Sequence, residues 1–132
     1  MAPNHPEQMK ELYATMGELG KEIPQTMAAF SKLHHAACAE GALDAKTKEL
    51  IALGIAIAIR CAGCITCHVS DALSAGATEE EINETIGVAI LMGGGPSVVY
   101  GCEAFEAVKQ FKAETARAGG NGSGGSHSAS KN

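Results

Sequence analysis

The fold is decided by residues 44–68, which read DAKTKELIALGIAIAIRCAGCITCH. Asp44 predicts the start of a helix, because its carboxylate can accept from the free N–H groups of a first helical turn. Residues 50–59 carry no polar side chain and are too few for a membrane span, which needs about 20. They predict a helix that is buried on nearly every side, in the core or against another subunit. Residues 60–63 predict a joint before the next helix.

Helical periodicity and capping signals predict the remaining elements on either side of this stretch. A capping box at residues 78–81, Thr-Glu-Glu-Glu, opens a helix, because Thr78 and Glu81 can satisfy each other's backbone N–H groups. Residues 117–132 are rich in Gly and Ser and predict a flexible tail. We therefore expect one compact all-α domain of five to six helices at residues 1–116. The first predicted helix covers residues 7–19 and is ended by Gly20, and the second runs from Pro24 to about residue 40. The fourth covers residues 64–74 and is closed by Gly76. The last begins at Pro96, after the glycines at 93–95.

Composition limits the classes of partner. The formal net charge of −5 argues against a nucleic-acid backbone or an anionic membrane surface. The first twelve residues lack the basic-then-apolar layout of an export signal. Five cysteines are an odd number in such a chain, which favours reactive or buried thiols in a reducing compartment over a structural disulfide framework. We expect a cytoplasmic protein.

The chemistry is predicted at Glu49, Cys61, Cys64 and His68. Two cysteines three positions apart at a helix N-terminus can close a disulfide, and the helix dipole there stabilises a thiolate. His68 follows Cys64 by four positions, so both side chains share one helical face, within reach for proton transfer. An imidazole in that role needs an acceptor on its other nitrogen, and Glu49 is the candidate. The group predicts a redox dithiol with an acid–base pair and requires no metal or cofactor.

This arrangement sets a geometric condition. On one straight helix Glu49 and His68 would stand about 28 Å apart, at 1.5 Å per residue. The two side chains can meet only if the chain reverses at residues 60–63, where Gly63 permits a turn. In isolation a carboxylate such as Glu49 is usually a solvated charge in a first helical turn, and His68 is equally consistent with an ordinary core or surface histidine.

Other interpretations of the same residues stay open. Cys64 to His68 also reads C-x-x-C-H, the attachment pattern of haem c, and the cysteines at 61, 64 and 67 resemble part of an iron–sulfur run. A zinc site could draw on the second set His34, His35 and Cys38. Cys67 points away from the predicted relay face. The remaining cysteines, Cys38 and Cys102, fall on apolar helical faces and are predicted to be small core residues.

Taken together, the pattern E-x11-C-x2-C-x3-H resembles the carboxymuconolactone decarboxylase superfamily, and within it the alkyl hydroperoxidase D-like branch. Residues 71–82 and the Met-Gly-Gly-Gly-Pro at 92–96 support the resemblance, which covers about residues 25–110. It implies an all-α fold in a ring-like homo-oligomer, a trimer or hexamer. Gly63 departs from some relatives, which place a polar residue there, and Cys67 is an additional thiol.

The resemblance also implies an activity, a thiol-dependent peroxidase or disulfide oxidoreductase with an antioxidant role. By that analogy Cys64 is the peroxidatic cysteine, Cys61 resolves it as a disulfide, and His68 and Glu49 move the proton. The implied partners are a peroxide or disulfide substrate and an external dithiol reductant, with neither nucleic acid nor membrane. Two alternatives stand beside it, a decarboxylase-like enzyme of the same fold and a non-enzymatic redox sensor.

Overall fold

The computed structural model describes residues 3–121, and these form six α-helices with no strand among them. The predicted all-α class is therefore confirmed. Within the described residues no helix combines the length and the apolar character that crossing a bilayer requires. The helices are α1 (His5–Glu22), α2 (Pro24–Cys38), α3 (Ala45–Ala58), α4 (Ala62–Ser74), α5 (Glu79–Gly93) and α6 (Gly95–Asn121).

The core lies between α3, α4, α5 and α6, and it is made of aliphatic and small side chains. Leu53 and Ile57 of α3 are fully buried, as the apolar run at 50–59 predicts. Nearly half of the core residues are alanine, and such small side chains let the helices approach one another closely. The core comprises Leu53, Ala56, Ile57, Ile65, Val69, Ala72, Ala77, Ile82, Ala89, Ala104, Ala107, Val108 and Phe111.

Local capping chemistry sets several helix ends where the sequence predicts them. The Asp44 carboxylate accepts from the Thr47 N–H at 2.8 Å and begins α3. Both hydrogen bonds of the Thr78–Glu81 capping box are present at the start of α5. Gly76, at φ 95°, closes α4 in a left-handed conformation that a side chain would oppose. These three predictions are confirmed.

Other predicted boundaries are wrong. α1 continues through Gly20 and ends at Glu22, because its C-cap Ile23 precedes Pro24 and a residue before proline is disfavoured in the α conformation. α6 begins at Gly95 and runs to Asn121, so residues 117–121 of the predicted tail continue the helix. Arg117 and Ala118 are good helix formers, whereas Gly119, Gly120 and Asn121 are not, so helix propensity accounts only for the first two residues of the extension. The rest of the predicted tail, residues 122–132, lies outside the described residues.

The chain reverses between α3 and α4, as contact between Glu49 and His68 requires. The residue that forms the turn is Arg60 and not the predicted Gly63. Arg60 adopts the left-handed conformation at φ 62°, and the Cys61 N–H donates to the Ala56 carbonyl at 3.0 Å. Gly63 lies inside α4, where a Cβ would stand 3.4 Å from Leu12 Cδ2. Gly63 is thus a helical residue that faces α1, and it does not form the turn. α3 and α4 pack side by side after the reversal.

Candidate functional site

The dithiol lies at the N-terminus of α4. Cys61 is the N-cap residue, and its sulfur accepts from the Cys64 N–H at 3.3 Å. The two sulfurs form a disulfide, and the Cα atoms are 5.2 Å apart. Both residues are half-buried. The predicted pairing of Cys61 with Cys64 is therefore present at a position where the helix dipole stabilises a thiolate on reduction.

His68 and Glu49 are brought together by the reversal between α3 and α4. His68 Nδ1 lies 2.9 Å from Glu49 Oε2, which confirms the predicted contact. Glu49 is only 7 % exposed. Because an ionised carboxylate can only accept, Nδ1 carries the proton in this contact, and Nε2 is the nitrogen left with a free lone pair. That nitrogen is the one able to take or deliver a proton.

α2 contributes two side chains to this site, His34 and Cys38, which the sequence indicated only as possible zinc ligands and, for Cys38, as a small core residue. The Cys38 sulfur lies within 4.8 Å of the Glu49 carboxylate, and the His34 ring stacks on the His68 ring at a centroid distance of 6.4 Å. His34 and Cys38 are four positions apart, so they share one face of α2. That spacing is the signal that could have indicated them. Cys38 therefore belongs to the site and is not a core residue.

Asp71 of α4 adds a second carboxylate beside the first. It is three positions after His68 and so lies on the same helical face. Burial, and then the negative charge of Glu49, raise the pKa of Asp71, while His68 and His34 partly offset that rise. Burial, followed by the Glu49 charge and the hydrogen bond to it, likewise raises the pKa of the Cys38 thiol. Negative charge is therefore concentrated around Glu49.

Cys67 and Cys102 lie apart from the dithiol chemistry. The Cys67 thiol is half-buried beside the Tyr13 hydroxyl of α1. Burial raises the pKa of Cys67, although the hydrogen bond from Tyr13 acts against that rise, and a raised pKa disfavours the reactive thiolate. Cys102 is exposed on α6, so the prediction of a core residue is wrong there.

The haem and iron–sulfur interpretations both need Cys64 as an attachment point or ligand. Its sulfur is bonded to Cys61 instead, and Cys67 faces Tyr13. His68 in turn directs Nδ1 to Glu49. These contacts favour the dithiol interpretation of the same residues.

Residues 24–107 match the sequence pattern of the carboxymuconolactone decarboxylase family. A carboxymuconolactone decarboxylase family protein from Legionella pneumophila, solved in its apo form, is 45% identical with a TM-score of 0.79, covering 81% of this chain and 96% of the other. A family protein from Thermotoga maritima, for which a role in the antioxidative response has been suggested, is 29% identical with a TM-score of 0.66, covering 70% and 96%. An uncharacterized protein of Cupriavidus necator is 38% identical over 96 residues, 73% of this chain and 85% of the other.

Proposed function

The chain belongs to the carboxymuconolactone decarboxylase family, and from that premise we propose that it is a thiol-dependent peroxidase of the alkyl hydroperoxidase D-like branch. One observation carries the proposal. The Cys61–Cys64 disulfide lies at the start of α4, and the His68–Glu49 pair stands on the same helix and its neighbour. The suggested antioxidative role of the Thermotoga maritima relative is consistent with it.

The first half of the cycle reduces the peroxide. The Cys64 thiolate attacks the terminal oxygen of a hydroperoxide, and the O–O bond breaks as the S–O bond forms. His68 Nε2, which first accepts the thiol proton, returns it to the departing alkoxide, so an alcohol leaves and Cys64 becomes a sulfenic acid. Glu49 stabilises the imidazolium that exists between these two transfers.

The second half closes and reopens the disulfide. The Cys61 thiol gives up its proton and attacks the Cys64 sulfur, the S–O bond breaks, and water leaves. The two thiols have then lost the two electrons that the peroxide gained. An external dithiol returns two electrons and two protons, and Cys61 at the N-cap is a good leaving thiolate in that exchange. Because the cycle depends on such a reductant, we place the protein in the cytoplasm.

The test is peroxide-dependent oxidation of a small dithiol by the purified chain, with mass spectrometry to locate the bridge. Cys64→Ser should abolish turnover, since the attacking sulfur is removed. His68→Ala should slow it by about 10²-fold or more, the usual contribution of general acid–base catalysis. Cys102→Ser is the matched control, because Cys102 is exposed on α6 away from the dithiol. Undiminished turnover in Cys64→Ser would refute the proposal.

A further inference from the structure

Side chains of the types that bind metal ions lie close together around Glu49, and they come from three helices. α2 supplies His34 and Cys38, α3 supplies Glu49 itself, and α4 supplies His68 and Asp71. Their donor atoms form two sets that share the Glu49 carboxylate. The ligating atoms of His34, Cys38 and Glu49 all lie within 4.8 Å of one another, as do those of Glu49, His68 and Asp71. The peroxidase cycle uses only part of this cluster.

The charge around Glu49 favours a cation. The carboxylates of Glu49 and Asp71 lie within 4.8 Å of each other there, so two negative groups share one half-enclosed place. The neighbouring lysine, Lys48, directs its ammonium to the Ala39 carbonyl at 2.5 Å, which links α3 to the end of α2. A buried carboxylate whose charge is incompletely neutralised is stabilised by a bound divalent ion.

The donor types select the kind of cation. A thiolate and an imidazole together with a carboxylate suit Zn²⁺ and its spectroscopic substitute Co²⁺, whereas Mg²⁺ and Ca²⁺ prefer oxygen ligands alone. Three protein ligands also leave a fourth coordination position for water. His34 and Cys38 at spacing i and i+4 present their donors from one helical face, the arrangement common to helical metal sites.

We propose that His34, Cys38 and Glu49 bind Zn²⁺ and that the bound ion switches off the dithiol reaction. On binding, the Cys38 thiol releases its proton and the thiolate bonds to the metal. The Glu49 carboxylate becomes a ligand, so it no longer orients and stabilises His68 as an acid–base group. The binding of the metal stands on the cluster alone, whereas its inhibitory effect rests on the proposed peroxidase function.

Binding is tested with Co²⁺, titrated without oxygen into the full chain in its Cys61–Cys64 disulfide form. A thiolate–cobalt charge-transfer band should appear and saturate at one ion per chain. Cys38→Ser should remove the band, and His34→Ala should weaken Co²⁺ binding by more than about tenfold. The matched controls are His35→Ala, adjacent to His34 but outside the cluster, and Cys102→Ser. Both controls should keep the band and the affinity.

Two results would overturn the metal site. One is the lack of a charge-transfer band in the wild-type chain, and the other is a band that survives Cys38→Ser. A Cys61→Ser, Cys64→Ser double variant separates this question from catalysis. It is expected to have no peroxidase activity but to bind Co²⁺ as the wild type does, because the cluster contains neither residue.

Inhibition is tested by adding Zn²⁺ to the peroxide assay and comparing each variant with its own metal-free rate. The wild-type rate should fall in proportion to occupancy, and Cys38→Ser should need more than about tenfold more Zn²⁺ for the same loss. Occupancy without any fall in rate would overturn the inhibitory role. A chain that binds Co²⁺ through Cys38 but reduces no peroxide even without metal would sink the proposed function and leave the metal site standing.

Discussion

Glu49 is a single carboxylate for which several neighbours compete. It accepts from His68 Nδ1 at 2.9 Å, and the Cys38 thiol and the Asp71 carboxylate each lie within 4.8 Å of it. At 7 % exposure it has little water to screen its charge, so each of these contacts alters the others. The chemistry of the site therefore depends on which partner holds this carboxylate.

Removing the charge of Glu49 should act on the rate through His68. Glu49→Gln keeps the shape and can still accept from Nδ1, but it no longer stabilises an imidazolium, so we expect turnover to fall by about tenfold or more. The double variant with His68→Ala should be no slower than His68→Ala alone, since both changes remove one proton-transfer step. Steady-state rates of the four proteins measure this.

The control for that series is Glu81→Gln, which removes a carboxylate from an exposed ion pair with Lys46. It should leave turnover unchanged, because Glu81 lies in the first turn of α5 and is not part of the cluster around Glu49. If the losses from Glu49→Gln and His68→Ala multiplied in the double variant, the two residues would act independently and the relay would be disproved.

His5 anchors the start of α1 and is only 1 % exposed. The Thr66 hydroxyl donates its hydrogen to the Ala62 carbonyl at 3.2 Å, so His5 Nδ1 must donate to that hydroxyl at 2.7 Å. Nε2 is then the unprotonated nitrogen, buried without a hydrogen-bond partner in the described chain. Burial lowers the pKa of His5, although Glu103 and Glu106 act against this. His5 is held neutral by its surroundings.

The lowered pKa makes stability depend on pH. The unfolded chain takes up the proton first, near the ordinary value of 6.5, so the contribution of His5 is complete above that pH. It is lost as pH falls from there towards the folded-state pKa. The free energy of unfolding of the wild type minus that of His5→Gln should therefore decrease on acidification below about pH 6.5. Urea titrations across that range measure it, and a difference that stays constant or grows would contradict this assignment.

At the scale of the residue, sequence reasoning could predict side-chain types and their spacing within one helix. Cys61, Cys64 and His68 were accessible in that way because they lie within two turns of one another. His34 was indicated only as a possible zinc ligand and not as a neighbour of His68, because its approach to His68 depends on how α2 lies against the other helices. Periodicity within a helix does not contain that register.

Some helix ends follow from local sequence and can be predicted, whereas others do not. The caps at Asp44 and at Thr78 are local hydrogen bonds between residues three apart, so the sequence predicts them correctly. The turn at Arg60 was assigned to Gly63, because a glycine is the usual left-handed residue. The left-handed residue is Arg60 instead, and an arginine is not a residue type that local patterns single out for this conformation.

Packing between α5 and α6 depends on the absence of a side chain at Gly101. A Cβ there would stand 2.6 Å from Ile86 Cγ2, and the β-branched Ile86 has little rotamer freedom to withdraw. Gly101→Ala should therefore lower the free energy of unfolding by about 1–3 kcal/mol, as overpacking usually does. Chemical denaturation measures the change.

Gly17→Ala in α1 is the matched control, because nothing lies within 4 Å of the Cβ that it would add. It should raise the free energy of unfolding by about 0.5–1 kcal/mol, since alanine favours the helix over glycine. Equal gains from both substitutions would show that α5 and α6 do not meet closely at Gly101.

The whole molecule exposes an apolar surface that its own helices leave uncovered. Ile51 and Ile55 of α3 and Val88 and Met92 of α5 line a groove of about 420 Å³. We call this groove, with these four residues, the α3/α5 face. Val88 is 64% exposed and Met92 77%, and contiguous apolar surface of this kind marks an interaction site. The apolar run at residues 50–59 predicted a helix that is buried on nearly every side. The side of α3 that carries Ile51 and Ile55 is exposed in the single chain, so its burial requires another subunit.

A second copy of the chain is the expected occupant, as the predicted ring-like trimer or hexamer requires. Val88→Glu would bury an unpaired charge in such an interface, so it should convert the assembly to smaller species. Light scattering after size-exclusion chromatography measures the mass, and Leu19→Glu, which changes an exposed apolar residue of α1, should retain the wild-type mass. A wild-type chain that stays monomeric at micromolar concentration, or a Val88→Glu variant of unchanged mass, would show that the α3/α5 face does not hold the subunits together.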